Sequence, residues 1–217
     1  MFLAVAGMVG TGKTTLTRAL AARFGLQTAL ESVDDDNPWL APYYGEPDGL
    51  RRHALPLQLH FLASRFAAVR RMRARGGSWI LDRTWYEDAE IFARGARDEG
   101  RLSDVEYDLY QRLYAELLTS PAARPPKLLV YLTAPVPEIL ARIARRGREK
   151  EKDTVPEYWM ALHARYARWI PTFRRAPVLT VDVRDYDVVG DPGSLDPIVK
   201  QVEQRLDGRV PQPSLFD

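Results

Sequence analysis

The chain has 217 residues, 46% of them hydrophobic, which is enough to bury one full core and fits one domain better than two. Lys and Arg total 31 against 29 Asp and Glu, a net charge of +2, so charge gives no reason to expect a polyanion-binding surface or nucleic acid as the default partner. The absence of cysteine excludes disulfides, thiolate nucleophiles and cysteine-ligated metals, and His53, His60 and His163 are too scattered to read as a zinc site.

A strand-like run at residues 2–6 begins directly after Met1, without the basic region and cleavage site of a secretion signal. No apolar stretch reaches bilayer-spanning length, so a soluble, cytoplasmic protein without a membrane partner is expected. A weaker β-type run ends near Glu31, and further ones stand at 79–81, 128–132 and 178–181. After the first loop region Leu55, Leu59, Leu62, Phe66 and Val69 step alternately by four and three, a helical core seam. Gln58 and Arg65 are seven apart and so share one stripe beside that seam, where they can face a cleft. Residues 103–118, 135–145, 156–173 and 195–206 read as further helices. The alternation predicts an α/β fold, a doubly wound parallel sheet of five strands flanked by helices, over residues 1–206, with a tail at 207–217 that contains two prolines and no helical pattern.

Gly7-Met8-Val9-Gly10-Thr11-Gly12-Lys13-Thr14 follows the first strand and, with Thr15, opens a helical pattern carried by Leu16, Leu20 and Phe24. That is the setting of a phosphate-binding P-loop: glycines let backbone N–H groups converge on phosphate oxygens at a helix N-terminus, where the dipole favours an anion. Lys13 would reach the β- and γ-phosphates of ATP or another nucleoside triphosphate, and the Thr14 hydroxyl would bind Mg²⁺. By itself such a loop leaves GTPases, ATPases, nucleotide kinases and small-molecule kinases open.

Asp82 and Arg83 end the buried run 79–81, and in doubly wound sheets strand ends face the ligand crevice. Asp82 suits Mg²⁺ and Arg83 the charge of a transferred phosphoryl group, although a surface salt bridge has the same residues. Glu31 ends the second strand beside the acidic loop of Asp34, Asp35 and Asp36, either as a second carboxylate of the crevice or as a solvated residue. Arg142, Arg145, Arg146 and Arg148 cluster at the end of a helix and could form a lid over the phosphates or a plain solvated face.

With the P-loop come, in order, Glu31 and Asp35-Asp36-Asn37-Pro38, Tyr44, Leu57-Gln58, Ser64-Arg65, Asp82-Arg83-Thr84-Trp85-Tyr86-Glu87-Asp88 and Arg146-Gly147-Arg148. Taken together the sequence resembles the deoxyribonucleoside kinase family, especially its bacterial deoxyadenosine/deoxyguanosine kinase branch, over nearly the whole chain. The resemblance implies that Glu31 accepts the proton of the 5′-hydroxyl of a deoxyribonucleoside and that Arg83 holds that carboxylate and hydroxyl. It places Tyr44 and Glu151 on the sugar 3′-hydroxyl, Gln58 on the base edge, and Arg65 and Asp88 in the base pocket. Arg142, Arg146 and Arg148 match lid arginines, and the segment with Asp185 and Tyr186 matches the loop near the donor base. A homodimer formed through helices is implied as well. Two departures stand out: Asp82-Arg83-Thr84 replaces the Glu-Arg-Ser of many animal members, and the lid is one residue longer before Val155-Pro156.

The implied activity is phosphorylation of purine deoxynucleosides, with deoxycytidine also admissible. The planar donor and acceptor groups of a glutamine amide suit a nucleobase edge. A nucleoside monophosphate kinase would need basic residues for its acceptor phosphate, and a non-catalytic kinase-like subunit would not need Lys13, Thr14, Glu31, Asp82 and Arg83 intact. Outside the kinase resemblance, Gln212, Leu215 and Phe216 form a pattern like the short peptides by which bacterial proteins dock on the DNA polymerase sliding clamp, while packing of Leu215 and Phe216 on the protein itself is the plainer reading.

Overall fold

A computed structural model describes residues 1–29, 37–147, 154–184, 186 and 192–208. The chain packs as two compact units, one built from Met1–Thr28, Gly77–Arg83 and Pro125–Asp217, the other from Ala29–Gly76 and Thr84–Arg124.

The first unit holds the sheet, whose strand order among the described residues is β2-β3-β1-β4-β5. Its strands are β1 (Phe2–Gly7), β2 (Gln27–Ala29), β3 (Trp79–Asp82), β4 (Leu128–Thr133) and β5 (Val178–Asp182). β1 lies between β3 and β4 and is parallel to both, with Val5 opposite Asp82 and Gly7 opposite Leu132. Every residue of β1 and β3 is buried. Strands covered on both faces read as unbroken apolar runs, which is why these two are visible in the sequence. The edge strand β2 is short and largely exposed, so it carries little such signal. Helices α1 (Lys13–Phe24), α8 (Val136–Arg146), α9 (Pro156–Trp169) and α10 (Asp196–Leu206) belong to this unit. The expected helix over 156–173 narrows after Trp169 into a 3₁₀ turn at Ile170–Thr172, where Pro171 cannot supply the next helical N–H.

The second unit is helical. Besides α4 (Ala54–Arg75) and α7 (Asp104–Thr119) it contains α2 (Leu40–Gly45), α3 (Gly49–Arg52), α5 (Trp85–Glu87) and α6 (Arg94–Asp98). Between α5 and α6 the chain widens into a π-helical turn, Asp88–Ala93, across which the Arg94 N–H reaches back to the Ala89 carbonyl. On α4 the buried stripe consists of Ala54, Leu57, Gln58, Leu62, Arg65, Phe66, Val69 and Met72, while Leu55 and Leu59 are only half-buried. Gln58 and Arg65 thus lie within the inward face and not beside it. Ser103 starts α7 with a capping box: its hydroxyl accepts from Glu106 N at 3.3 Å, and the Glu106 carboxylate accepts from Ser103 N at 2.8 Å.

Among the described residues no helix is long and apolar enough to cross a membrane. Glu31, Arg148, Glu151, Asp185 and the tail residues Gln212, Leu215 and Phe216 lie outside the described residues.

Candidate active site

The phosphate loop sits between β1 and α1, where Gly7 and Gly12 have φ of 145° and 85°. A Cβ on Gly7 would stand 2.5 Å from the Leu132 carbonyl oxygen, so no larger residue fits between β1 and β4 at this height. Gly12 serves as N-cap of α1 in a left-handed conformation and contributes no side-chain cap, the kind of helix N-terminus at which backbone N–H groups bind an anion. The Met8 carbonyl gathers the loop: it accepts from Thr11 N at 3.3 Å, from Thr11 Oγ1 at 2.8 Å and from Lys13 Nζ at 2.9 Å. Lys13 is thereby folded over its own loop and buried, and Met8 is buried with it, while Val9, Gly10 and Thr15 are half-buried.

At the second residue of α1, Thr14 Oγ1 donates to Asp82 Oδ2 at 2.5 Å. The other carboxylate oxygen of Asp82 is buried with no hydrogen-bond partner among the described residues. The structure thus brings the Thr14 hydroxyl and the Asp82 carboxylate together and leaves one carboxylate oxygen without a hydrogen bond among the described residues. Among the described residues no cluster of His, Cys, Asp and Glu could hold a metal without outside ligands.

Arg83 leaves β3 with φ of 67°, a left-handed backbone that an arginine adopts only at a cost in energy. Its N–H still bonds to Val5 O at 2.9 Å, and its guanidinium, in a residue only 5% exposed, donates through Nη1 to the Tyr166 hydroxyl at 3.2 Å. Of the arginines in α8, Arg146 is exposed in the last turn before Gly147. Arg142 instead bonds Glu138 at 2.8 Å and donates Nη2 to the carbonyls of Val183 at 2.6 Å and Tyr186 at 3.3 Å. It ties α8 to the segment after β5 in which Tyr186 lies.

In the second unit Arg65 and Asp88 form a two-pronged ion pair, Nε to Oδ2 at 2.5 Å and Nη2 to Oδ1 at 3.2 Å, with side chains only 6% and 4% exposed. Gln58 is buried on the same helix, and its amide oxygen has no partner among the described residues. The Tyr110 hydroxyl is buried and likewise unpartnered. Burial, and then the Asp88 carboxylate, push its ionisation well above the usual tyrosine range, so it stays a neutral donor. Tyr44 is 68% exposed, open to a ligand, and packs edge-on against Tyr43, whose hydroxyl accepts from Arg101 at 2.7 Å.

Thr84 begins α5 with a second capping box: its N–H donates to Glu87 Oε2 at 2.8 Å and its Oγ1 accepts from Glu87 N at 3.3 Å. The sequence signal for this cap, a Thr-x-x-Glu spacing just after a strand, is contained within the longer motif from Asp82 to Asp88 and is masked by it. Tyr110 and Tyr166 have no such signal, since Tyr166 is 83 positions from the arginine it meets.

The sequence profile described as "Deoxynucleoside kinase" matches residues 3–207. The chain belongs to the deoxynucleoside kinase family. Among members of this family, "Deoxyadenosine/deoxycytidine kinase" of Bacillus subtilis (strain 168) is 41% identical over 200 residues, covering 92% of this chain and 90% of that protein. "Deoxyadenosine kinase" of Dictyostelium discoideum is 34% identical over 201 residues, 91% of this chain and 77% of its own. A solved structure of deoxyadenosine kinase from M. mycoides with bound dCTP superposes with a TM-score of 0.78 at 24% identity over 94% of this chain and 100% of that one, and so shares the fold. The five-stranded sheet with its flanking helices is the P-loop kinase fold.

Proposed function

We propose that this deoxynucleoside kinase transfers the γ-phosphate of ATP to the 5′-hydroxyl of a purine deoxynucleoside or deoxycytidine, a salvage step of the cytoplasm, where ATP is supplied. The observation that carries the choice of acceptor is the buried polar set of the second unit, where the unpartnered Gln58 amide oxygen shares the inner face of α4 with the Arg65–Asp88 pair. A base edge presents the N–H donors that such an amide needs, and leaving a buried acceptor unmade is costly. The names of the relatives from Bacillus subtilis and Dictyostelium discoideum, both with deoxyadenosine as substrate, support the same reading.

In the reaction, the 5′-oxygen forms a bond to the γ-phosphorus as the bond to the β,γ-bridging oxygen breaks and ADP leaves. Glu31 takes the proton released by the hydroxyl. Arg83 stabilises charge on the transferred group, Lys13 and the loop N–H groups from Met8 to Thr15 hold the donor phosphates, and Arg146 and Arg148 close over them. Arg142 contributes by holding the segment of Asp185 and Tyr186 beside the donor base. Tyr44 and Glu151 bind the 3′-hydroxyl. Thr14 and Asp82 suit Mg²⁺, given their paired oxygens and the spare carboxylate valence. When bound, the ion would neutralise donor phosphate oxygens, which with water would complete its ligand set.

Assembly as a homodimer is part of the proposal. Val105, Leu109 and Leu113, 81%, 55% and 43% exposed, form an apolar stripe at a spacing of four along α7, suited to a second copy.

The test is a panel of deoxynucleosides and their monophosphates with ATP and Mg²⁺, with products separated chromatographically. Deoxyadenosine, deoxyguanosine or deoxycytidine should yield the 5′-monophosphate. Turnover of monophosphates alone would overturn the reading.

A further inference from the structure

Arg83 is held at both ends. Its backbone leaves β3 at φ 67° while still bonded to Val5, which fixes the direction of Cβ, and the far end of the side chain donates to the Tyr166 hydroxyl at 3.2 Å. Tyr166 is itself immobilised. It is fully buried in α9, its ring stacks on Tyr131 of β4 at 5.8 Å with an interplanar angle of 17°, and Trp169 meets it edge-on at 6.1 Å. The hydroxyl is thus carried by a rigid aromatic stack rooted in the sheet.

The chemistry of the acceptor matters as much as its position. A phenol accepts one hydrogen bond and stays neutral, so it orients one arm of the fork without adding a charge beside it. An arginine stem has several rotatable bonds, and a misplacement of about 1 Å can cost about 10²-fold in rate.

We propose that Tyr166 is a positioning residue for phosphoryl transfer, acting through Arg83 by fixing the direction of the guanidinium. This inference rests on the reading of Arg83 as the arginine at the transferred group.

The test compares wild type, Tyr166→Phe, Arg83→Lys and the double variant with deoxyadenosine, ATP and Mg²⁺. Tyr166→Phe keeps the ring stack and removes only the hydroxyl. Its kcat should fall about 10-fold, the scale of one hydrogen bond to a charged group, with KM for both substrates within about twofold; the melting temperature should drop by roughly 2–12 °C for the lost buried bond, so assays are run well below it, where the variant is fully folded. Because the hydroxyl acts through the guanidinium, the double variant should be no slower than Arg83→Lys alone. Wild-type kcat in Tyr166→Phe, a loss that adds to that of Arg83→Lys, or a loss that disappears when rates are corrected for the folded fraction at the assay temperature would overturn the inference and leave the proposed function standing. A wild-type protein that phosphorylates no deoxynucleoside, or an Arg83→Lys variant at full rate, would overturn the assignment of Arg83 and this inference with it.

Discussion

Breaking the Arg65–Asp88 pair from one side should be far more damaging than removing both partners. Both side chains are more than nine-tenths buried and joined by two hydrogen bonds, so neither charge has water to fall back on. Truncating one member of such a pair strands its counter-ion and costs about 3–5 kcal/mol, whereas exchanging both for apolar groups of similar volume is often close to neutral. For a chain of this length about 1 kcal/mol moves the melting temperature by roughly 2–4 °C. Arg65→Met and Asp88→Leu should therefore each melt about 6–20 °C below wild type, and the double variant within about 4 °C of it. Differential scanning fluorimetry reads the stability side. The same proteins assayed with deoxyadenosine and thymidine read selectivity. If Arg65 and Asp88 line the base pocket as proposed, wild type should use thymidine poorly, because the 5-methyl group would meet the ion pair. The double variant should gain in thymidine relative to deoxyadenosine. Single variants that melt within about 2 °C of wild type would refute the energetic argument. An unchanged thymidine ratio in the double variant, or efficient thymidine use by wild type, would refute the pocket assignment.

Gly7→Ala places a Cβ against the Leu132 carbonyl and should reduce ATP affinity by more than about 10-fold, measured by titration calorimetry, whereas Gly25→Ala, with no atom within 4 Å of its added Cβ, should cost about 1 kcal/mol and leave ATP affinity unchanged. Glu31→Gln should lower kcat by about 10²–10⁴ with deoxynucleoside affinity nearly intact; near wild-type turnover in rapid-quench experiments would move the base role to Asp82. Thr84→Ala removes a buried cap and Ser103→Ala an exposed one, so urea unfolding should show a loss of about 2 kcal/mol for the first and about 1 kcal/mol for the second.

How far each feature is legible in the sequence depends on how it is encoded. β1, β3 and β4 announce themselves because burial on both faces demands unbroken apolar runs, and the P-loop because its glycines answer a steric demand within one short stretch. α2, α3 and α6 are too short to express a helical period. On α4 the apolar pattern points to Leu55 and Leu59, which the structure leaves half-buried, because Gln58 and Arg65 occupy places on the buried face that hydrophobic patterning assigns to apolar residues. Such a local break with the pattern is what the proposed base pocket would require. By spacing Arg142 looks like Arg145, Arg146 and Arg148, yet only the fold reveals that Val183 and Tyr186 are within its reach. The Tyr166–Arg83 bond joins two distant stretches and has no sequence signature at all.

The wide turn at Asp88–Ala93 holds a surplus of length without passing it on. A π turn is an α-helix with one residue too many, and in an unbroken α-helix that residue would rotate everything beyond it by about 100°. Confined to one wide turn, the surplus lets Asp88 face Arg65 while Ala96 packs with Tyr43 and Leu102 further along the same stretch of chain. A deletion within this turn therefore has a regular helix to fall back on, whereas one in the middle of α4 or α7 would rotate half of that helix away from its packing partners.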